Sequence, residues 1–153
     1  MVRLDQPVDN FVLPSTDGGE FSLIDNLGKN IIIYFYPKDD TPGCTTEGQN
    51  FCEYWPVFIQ RNCIIIGISR DSLKSHENFK AKMQFPFELL SDIDEKVCHL
   101  FDVIKMKHIY GKQVRGIERS TFVIDAQGVL RKEWRGVKVP GHVQEVLDFA
   151  ATL

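Results

Sequence analysis

The sequence predicts an α/β fold in which a mixed central sheet is covered by helices on both faces and preceded by a small β-hairpin. Three observations carry that prediction. The runs Ile31-Ile32-Ile33-Tyr34-Phe35-Tyr36 and Ile64-Ile65-Ile66-Gly67-Ile68-Ser69 are rich in β-branched and aromatic residues, which suits strands buried on both faces. Between them Thr45 to Gln60 can wind as a helix, so the two strands read as a parallel β-α-β pair. Further on, Ser120–Ile124 and Val129–Trp134 flank the turn Asp125-Ala126-Gln127-Gly128, an antiparallel hairpin that makes the sheet mixed.

The remaining elements follow in chain order. Phe11 to Leu13 and Phe21 to Leu23 flank Ser15-Thr16-Asp17-Gly18-Gly19, the N-terminal hairpin. Pro56 should kink the helix after residue 45 or end it early, because it lacks an N–H. Asp71 or Ser72 can cap a helix running to about Met83. Phe87 to Leu90 reads as a short strand, and Asp92 caps a helix through Phe101. The polar stretch holding Gly111 and Gly116 carries no assigned element. Pro140-Gly141 precede a C-terminal helix from about His142 to Ala151. This order matches a thioredoxin-like α/β sandwich, a layout that places ligand chemistry at the carboxyl ends of parallel strands.

Composition bounds the function. The 153 residues, 43% hydrophobic, fit one compact domain spanning 1–153. A net charge of −3 with scattered Lys and Arg argues against nucleic acid or an anionic membrane as partner. The first residues have no apolar stretch of signal-peptide length and no segment is long enough to span a bilayer, so a cytoplasmic, reducing setting is expected. The four cysteines, 44, 52, 63 and 98, are then thiols at rest. None forms Cys-x-x-Cys and no Cys/His pair has zinc spacing, so neither a structural metal nor another cofactor is expected.

Cys44 stands apart. It follows the first buried strand and the turn Pro37-Lys38-Asp39-Asp40-Thr41-Pro42-Gly43, near the first turn of the helix. Unpaired N–H groups and the positive end of the helix dipole there favour thiolate over thiol. An ordinary cysteine, titrating near pH 8.5, is only a few per cent thiolate at pH 7, and making it mostly thiolate requires about 2.7 kcal/mol. A helix terminus supplies roughly 0.3–1 kcal/mol, or about 2 when partly buried. A cation is therefore needed, and Arg119, at the mouth of the strand 120–124, is the candidate, since Arg stays charged and donates several hydrogen bonds at once. Thr41 can turn its hydroxyl toward the sulfur or a bound oxygen, while Pro37 and Pro42 stiffen the loop.

The pattern Pro37-x-x-x-Thr41-x-x-Cys44 resembles the peroxiredoxin active-site motif. The longer Tyr36-Pro37-Lys38 … Thr41-Pro42-Gly43-Cys44-Thr45, with Gly67-Ile68-Ser69, Ser75-His76, Leu90-Ser91-Asp92, Tyr110-Gly111-Lys112, Gly116 to Phe122 and Val137 to His142, is similar to the bacterioferritin-comigratory-protein (Bcp), or PrxQ, branch. The resemblance implies that Cys44 is the peroxidatic cysteine, whose thiolate attacks a peroxide O–O bond to give a sulfenic acid. Pro37, Thr41, Gly43 and Arg119 would line its pocket. The implied partners are hydrogen peroxide or an organic hydroperoxide and a reductant such as thioredoxin, glutaredoxin or a small thiol, with the chain a monomer or weak homodimer. The chain also departs from the pattern. Relatives carry a resolving cysteine five residues after the peroxidatic one or on the following helix, where this chain has Gln49 and Lys80. Cys52 is the substitute candidate. About 12 Å of helix separates it from Cys44, against the 6.8 Å or so between Cα atoms that a disulfide tolerates, so the helix would have to unwind. The alternative favoured here is attack by an external thiol on the Cys44 sulfenic acid.

Two other functions compete. A thioredoxin-like disulfide reductase needs a second cysteine close to the first, which is missing, and a non-enzymatic redox-sensing module need not retain Pro37, Thr41, Cys44 and Arg119 together. The other polar residues have plain readings. Cys63 and Cys98 belong to the core, Glu47 supports the helix start, and Asp39-Asp40 form a solvated loop. His76, His99, His108 and His142 are polar helix or loop residues.

Overall fold

A computed structural model describes residues 1–153. Its centre is a five-stranded sheet. β3 (Asn30–Phe35), β4 (Cys63–Ser69) and β5 (Glu88–Ser91) run parallel; β8 (Ser120–Ile124) pairs antiparallel with β3, and β9 (Leu130–Arg135) pairs antiparallel with β8, giving the order β5-β4-β3-β8-β9. α1 (Pro42–Gln60) connects β3 to β4, α2 (Leu73–Met83) connects β4 to β5, and α3 (Lys96–Leu100) and α4 (His142–Ala150) complete the helices. The N-terminal hairpin pairs β1 (Val12–Pro14) with β2 (Glu20–Ser22). The mixed sheet, the flanking helices and this hairpin are those expected from the sequence.

The reason is visible in β3, all six of whose residues are buried. Successive side chains of a strand point to opposite faces. Ile31, Ile33 and Phe35 therefore enter one core with the N-terminal hairpin and α3, while Ile32, Tyr34 and Tyr36 enter a second core with α1 and α4. At about 25 cal/mol per Å² of apolar area, strands covered on both sides need no polar face, which is why both read as unbroken apolar runs.

Three boundaries differ from expectation. α1 begins at Pro42, three residues early, with proline in the first turn where its missing N–H costs nothing. It also runs through Pro56 to Gln60, neither broken nor shortened, because Phe51 and Phe58 on either side are wholly buried and packing outweighs one missing hydrogen bond. The stretch around Gly111 is a hairpin, β6 (Ile104–Ile109) paired with β7 (Lys112–Ile117). Tyr110 and Gly111 turn it with φ of 50° and 77°, both left-handed as a two-residue hairpin turn demands. This ribbon pairs with no strand of the main sheet and is largely exposed, so its sequence lacks apolar alternation.

Gly48, in the first half of α1, has a packing role. A Cβ there would lie 2.4 Å from Cζ of Phe85, a buried ring that meets Phe79 and Phe87 with centroids 5.0 Å away in each case. Gly48→Ala should therefore destabilise the fold by about 1–3 kcal/mol despite the better helix propensity of alanine. That lowers Tm by roughly 2–12 °C, measurable by calorimetry; an unchanged or higher Tm would show that the ring moves aside freely.

Candidate active site

The sheet brings the candidate residues together at the carboxyl end of β3. Phe35 is in register with Ser120, so Arg119, one residue before β8, stands beside the point where the chain leaves β3 for the loop 37–41. Thr41 is the N-cap of α1 in extended conformation, with φ −97° and ψ 156°, which places Cys44 at the third helical position. Cys44 is 2% exposed, and its Sγ accepts a hydrogen bond from Nη2 of Arg119 at 3.5 Å. The cation and the helix terminus thus converge on the sulfur.

Gly43 makes the approach possible. A Cβ there would stand 3.1 Å from Nη2 of Arg119, inside normal contact. Pro37 is half-buried in the loop. Thr41 departs from its expected pose: its hydroxyl donates to the Lys38 carbonyl at 2.9 Å, closing the loop on itself rather than reaching the sulfur. Its carbonyl accepts from the Thr45 N–H at 2.8 Å, as an N-cap should.

Glu47 exceeds its plain reading. It is completely buried and accepts from Nη1 of Arg119 at 2.6 Å, while its other oxygen, Oε2, has no partner. Arg119 therefore bridges the sulfur and a carboxylate on the next turn of the same helix. Burial pushes the Glu47 carboxyl up to about 7, against the downward pull of the Arg119 charge and hydrogen bond. The sequence signal was its place three residues after Cys44, on the same helix face.

Two further groups belong to this field. Lys107 of β6 is half-buried, and its ammonium is held below its ordinary value, first by burial and then by the Arg119 charge, with Cys44 pulling the other way. His142, at the start of α4, is buried and shares a 2.7 Å hydrogen bond with the Thr121 hydroxyl. Burial, then the Arg119 charge, lowers it to about 4, so it is neutral at pH 7.

The other cysteines lie apart. Cys52 is on α1, half-buried, its thiol pushed up to about 11 by burial. Cys63 and Cys98 are buried in the two cores, as expected, and all four cysteines are free thiols. The pair Asp39-Asp40 needs correction, because only Asp40 is exposed. Asp39 is buried and accepts from the Tyr36 phenol at 2.6 Å and the Ser75 hydroxyl at 2.7 Å, with Nδ1 of His76 at 2.7 Å. His76, on α2, is fully buried. Asp39, Asp71 and His76 have ligand atoms within 4.8 Å of one another, the one grouping with metal-site spacing. Those atoms are already hydrogen-bonded among themselves and to Ser69, Ser75 and Tyr36, so the group reads as a polar hub. Spacing could not reveal it, because Asp39 and His76 are 37 residues apart.

The raised Glu47 carboxyl has a consequence for stability. From its ordinary 4.5 up to about 7, the folded chain binds the proton more tightly than the unfolded chain. Its contribution is therefore fully present below 4.5 and is lost as pH rises through about 7. Glu47→Gln should flatten the profile of unfolding free energy over that interval, removing a decline on the order of 3 kcal/mol. Urea titrations at several pH values check this, and parallel profiles for the two proteins would contradict the burial argument.

Comparison with known proteins agrees with this geometry. Residues 4–133 match the model of the AhpC/TSA family. Peroxiredoxin Bcp of Xanthomonas campestris is 53% identical over 146 residues, covering 94% of this chain and 91% of that protein. Peroxiredoxin Bcp of Bacillus subtilis is 47% identical, covering 96% and 94%. A structure of the X. campestris bacterioferritin comigratory protein, studied for alkyl peroxide reduction, superposes with a TM-score of 0.88 at 49% identity, over 93% of this chain and 90% of that one. A cysteine-to-serine mutant of Xylella fastidiosa PrxQ gives a TM-score of 0.94 at 42% identity, over 99% and 97%. With a cysteine and an arginine joined at the head of α1 in a thioredoxin-like sheet, the chain belongs to the AhpC/TSA family, in the Bcp/PrxQ branch of the peroxiredoxins.

Proposed function

We propose that Cys44 is the peroxidatic cysteine of this thiol peroxidase, with Arg119 as its charge partner and Glu47 holding Arg119 in place. The observation that carries it is the 3.5 Å contact between Nη2 of Arg119 and Sγ of Cys44 at the start of α1. The Cys44 thiolate attacks the distal oxygen of hydrogen peroxide or an organic hydroperoxide, the O–O bond breaks, and water or an alcohol leaves with a proton. Arg119 donates to the thiolate and to the oxygens on which charge develops, where a fixed cation acts strongly. Gly43 and Pro37 shape the pocket. Thr41 contributes by holding the loop through Lys38, and its hydroxyl oxygen keeps lone pairs that can accept from a bound hydroperoxide.

The sulfenic acid is then reduced by thioredoxin or another external thiol. Cys52 is the internal alternative, but a thiol pushed up to about 11 is almost wholly protonated at neutral pH and attacks poorly. No helix is long and apolar enough to cross a membrane. A cytoplasmic enzyme of one domain, residues 1–153, acting as a monomer or weak homodimer, accords with the composition.

Peroxide consumption with dithiothreitol tests the assignment. Cys44→Ser should fall to background, and Arg119→Ala should slow the first step by roughly a hundredfold, the scale for losing one charge-stabilising donor. The pH profile of iodoacetamide alkylation should also move to higher pH in Arg119→Ala. Turnover in Cys44→Ser, or an unmoved profile, would overturn the respective role.

Resolution has its own readout. After one equivalent of peroxide, peptide mass spectrometry should find sulfenic acid on Cys44, and Cys52→Ser should turn over at the wild-type rate. A Cys44–Cys52 crosslink in high yield, lost together with thioredoxin-supported turnover in Cys52→Ser, would establish the internal route instead.

A further inference from the structure

We propose that one face of the β6–β7 ribbon, beside Cys44, is the docking surface for an acidic protein dithiol that reduces the oxidised cysteine. The inference rests on the peroxidase reading, because it assigns the surface on which that enzyme meets its reductant.

Strand pairing fixes the composition of this face. Residues opposite each other on an antiparallel ribbon share a face, as do alternate residues along each strand. Lys107 stands opposite Val114, Lys105 opposite Gly116 and Ile109 opposite Lys112. One face therefore carries three lysines together with Ile109 and Val114, which are 45% and 42% exposed. From Ile104 to Ile117 the ribbon has four Lys or Arg and no Asp or Glu, in a chain of net charge −3. The rest of the molecule is more negative than the whole.

The cations here outnumber their anions. Asp102 pairs with Lys105 at 3.2 Å, Glu47 is held by Arg119, and Glu95 is shared by Arg70 at 2.9 Å and Arg115 at 2.6 Å. The Glu118 carboxylate lies against Gly136, 3.9 Å from where a Cβ would stand. Lys107 and Lys112 have no carboxylate oxygen within 4.0 Å. Gly116 leaves backbone uncovered between two of these cations: a Cβ there would be 3.6 Å from Nη2 of Arg70 and 4.0 Å from Nζ of Lys107. Like charges so placed repel each other, and an incoming carboxylate relieves the repulsion. Lys107 also feels the charges of Arg119 and Cys44, so this spot adjoins the reacting sulfur.

The chemistry beside it selects the occupant. A sulfenic acid on Cys44 needs a thiol, which a nucleic acid does not carry. A small thiol at the sulfur leaves the outer half of the face uncovered, because Lys107 and the ribbon tip at Tyr110 are roughly 10 Å apart at about 3.3 Å per residue. A protein covers that span, setting aliphatic groups on Ile109 and Val114 and carboxylates on Lys107, Lys112 and Arg70. The negative remainder of the molecule turns an acidic partner toward the ribbon. One thiol of the reductant then bonds through sulfur to Cys44, the S–O bond breaks, and the hydroxyl leaves as water with the thiol's proton. The second thiol displaces Cys44, which takes the proton, and the reductant departs as its disulfide.

The test uses the full-length chain, hydrogen peroxide and two reductants: a thioredoxin of net negative charge, kept reduced by its reductase, and the uncharged dithiothreitol. Lys112→Glu reverses an exposed charge at the ribbon tip. It should lower kcat/KM for thioredoxin about tenfold at low ionic strength, within the range of electrostatic steering. The deficit should shrink to about twofold or less near 0.5 M salt, where such charges are screened. Lys112→Arg should restore the wild-type value. Ile109→Ser combined with Val114→Ser should lower kcat/KM for thioredoxin by a similar factor at every salt concentration. Turnover supported by dithiothreitol should be unchanged in all of these variants. Equal losses with both reductants, a wild-type rate with thioredoxin that ignores salt, or turnover with dithiothreitol but none with thioredoxin would each overturn the docking face. A wild-type dimer in sedimentation that Lys112→Glu dissolves would give the face to a second copy instead. Absence of turnover with either reductant would remove the peroxidase reading and the docking face with it, an outcome distinct from the others.

Discussion

A buried cation needs acceptors, and a buried acceptor needs a donor. Arg119 meets both conditions with two nitrogens of one guanidinium: Nη2 on Cys44 and Nη1 on Glu47. The architecture around it is arranged by that requirement. Antiparallel pairing of β8 with β3 delivers Arg119 from the far side of the sheet to the head of α1. Gly43 leaves room for it, and the two acceptors sit three residues apart on one helix face. Removing one partner of such a buried pair leaves an uncompensated charge, at a cost of about 3–5 kcal/mol, so the three residues form one unit.

The sequence disclosed what depends on local pattern. β3 and β4 were legible because full burial leaves an unbroken apolar run, and the head of α1 was legible because Pro42, Gly43 and Cys44 each have a positional reason to be there. The β6–β7 hairpin was not, since a ribbon wet on most of its surface imposes no alternation. Pro56 misled because its local penalty was weighed without the burial of Phe51 and Phe58. The polar hub was hidden for another reason. Asp39 looks like half of a solvated acidic pair, and only the chain's return through His76 shows that one aspartate turns inward and the other outward.

Pro56 also bears on how the oxidised cysteine is reached. It cannot donate to the Cys52 carbonyl, so α1 is weakened in the turn where Cys52 stands. Cys52 itself is half-buried against aromatic neighbours. Unwinding from Cys44 to Cys52 would separate Phe51 from Tyr34, stacked at 4.6 Å, and would lift Gly48 off Phe85. Opening confined to residues 38–46 disturbs neither contact. Opening at residues 38–46 therefore disturbs less of the core than unwinding as far as Cys52.

α2 is the body on which the loop 37–41 rests. In some members of this branch the helix carries the resolving cysteine, and here the position is Lys80, which pairs with Glu88 of β5. Glu88 also accepts from the Thr16 hydroxyl at 3.0 Å, and that hydroxyl oxygen accepts the Leu89 N–H at 3.0 Å. One ion pair thus ties the C-terminal half of α2 to the sheet and the N-terminal hairpin together. The C-terminal half of α2 is held on the sheet at this point. The helix can serve as a rigid post for the loop, gripping it through His76 on Asp39 and Lys82 on Asp40.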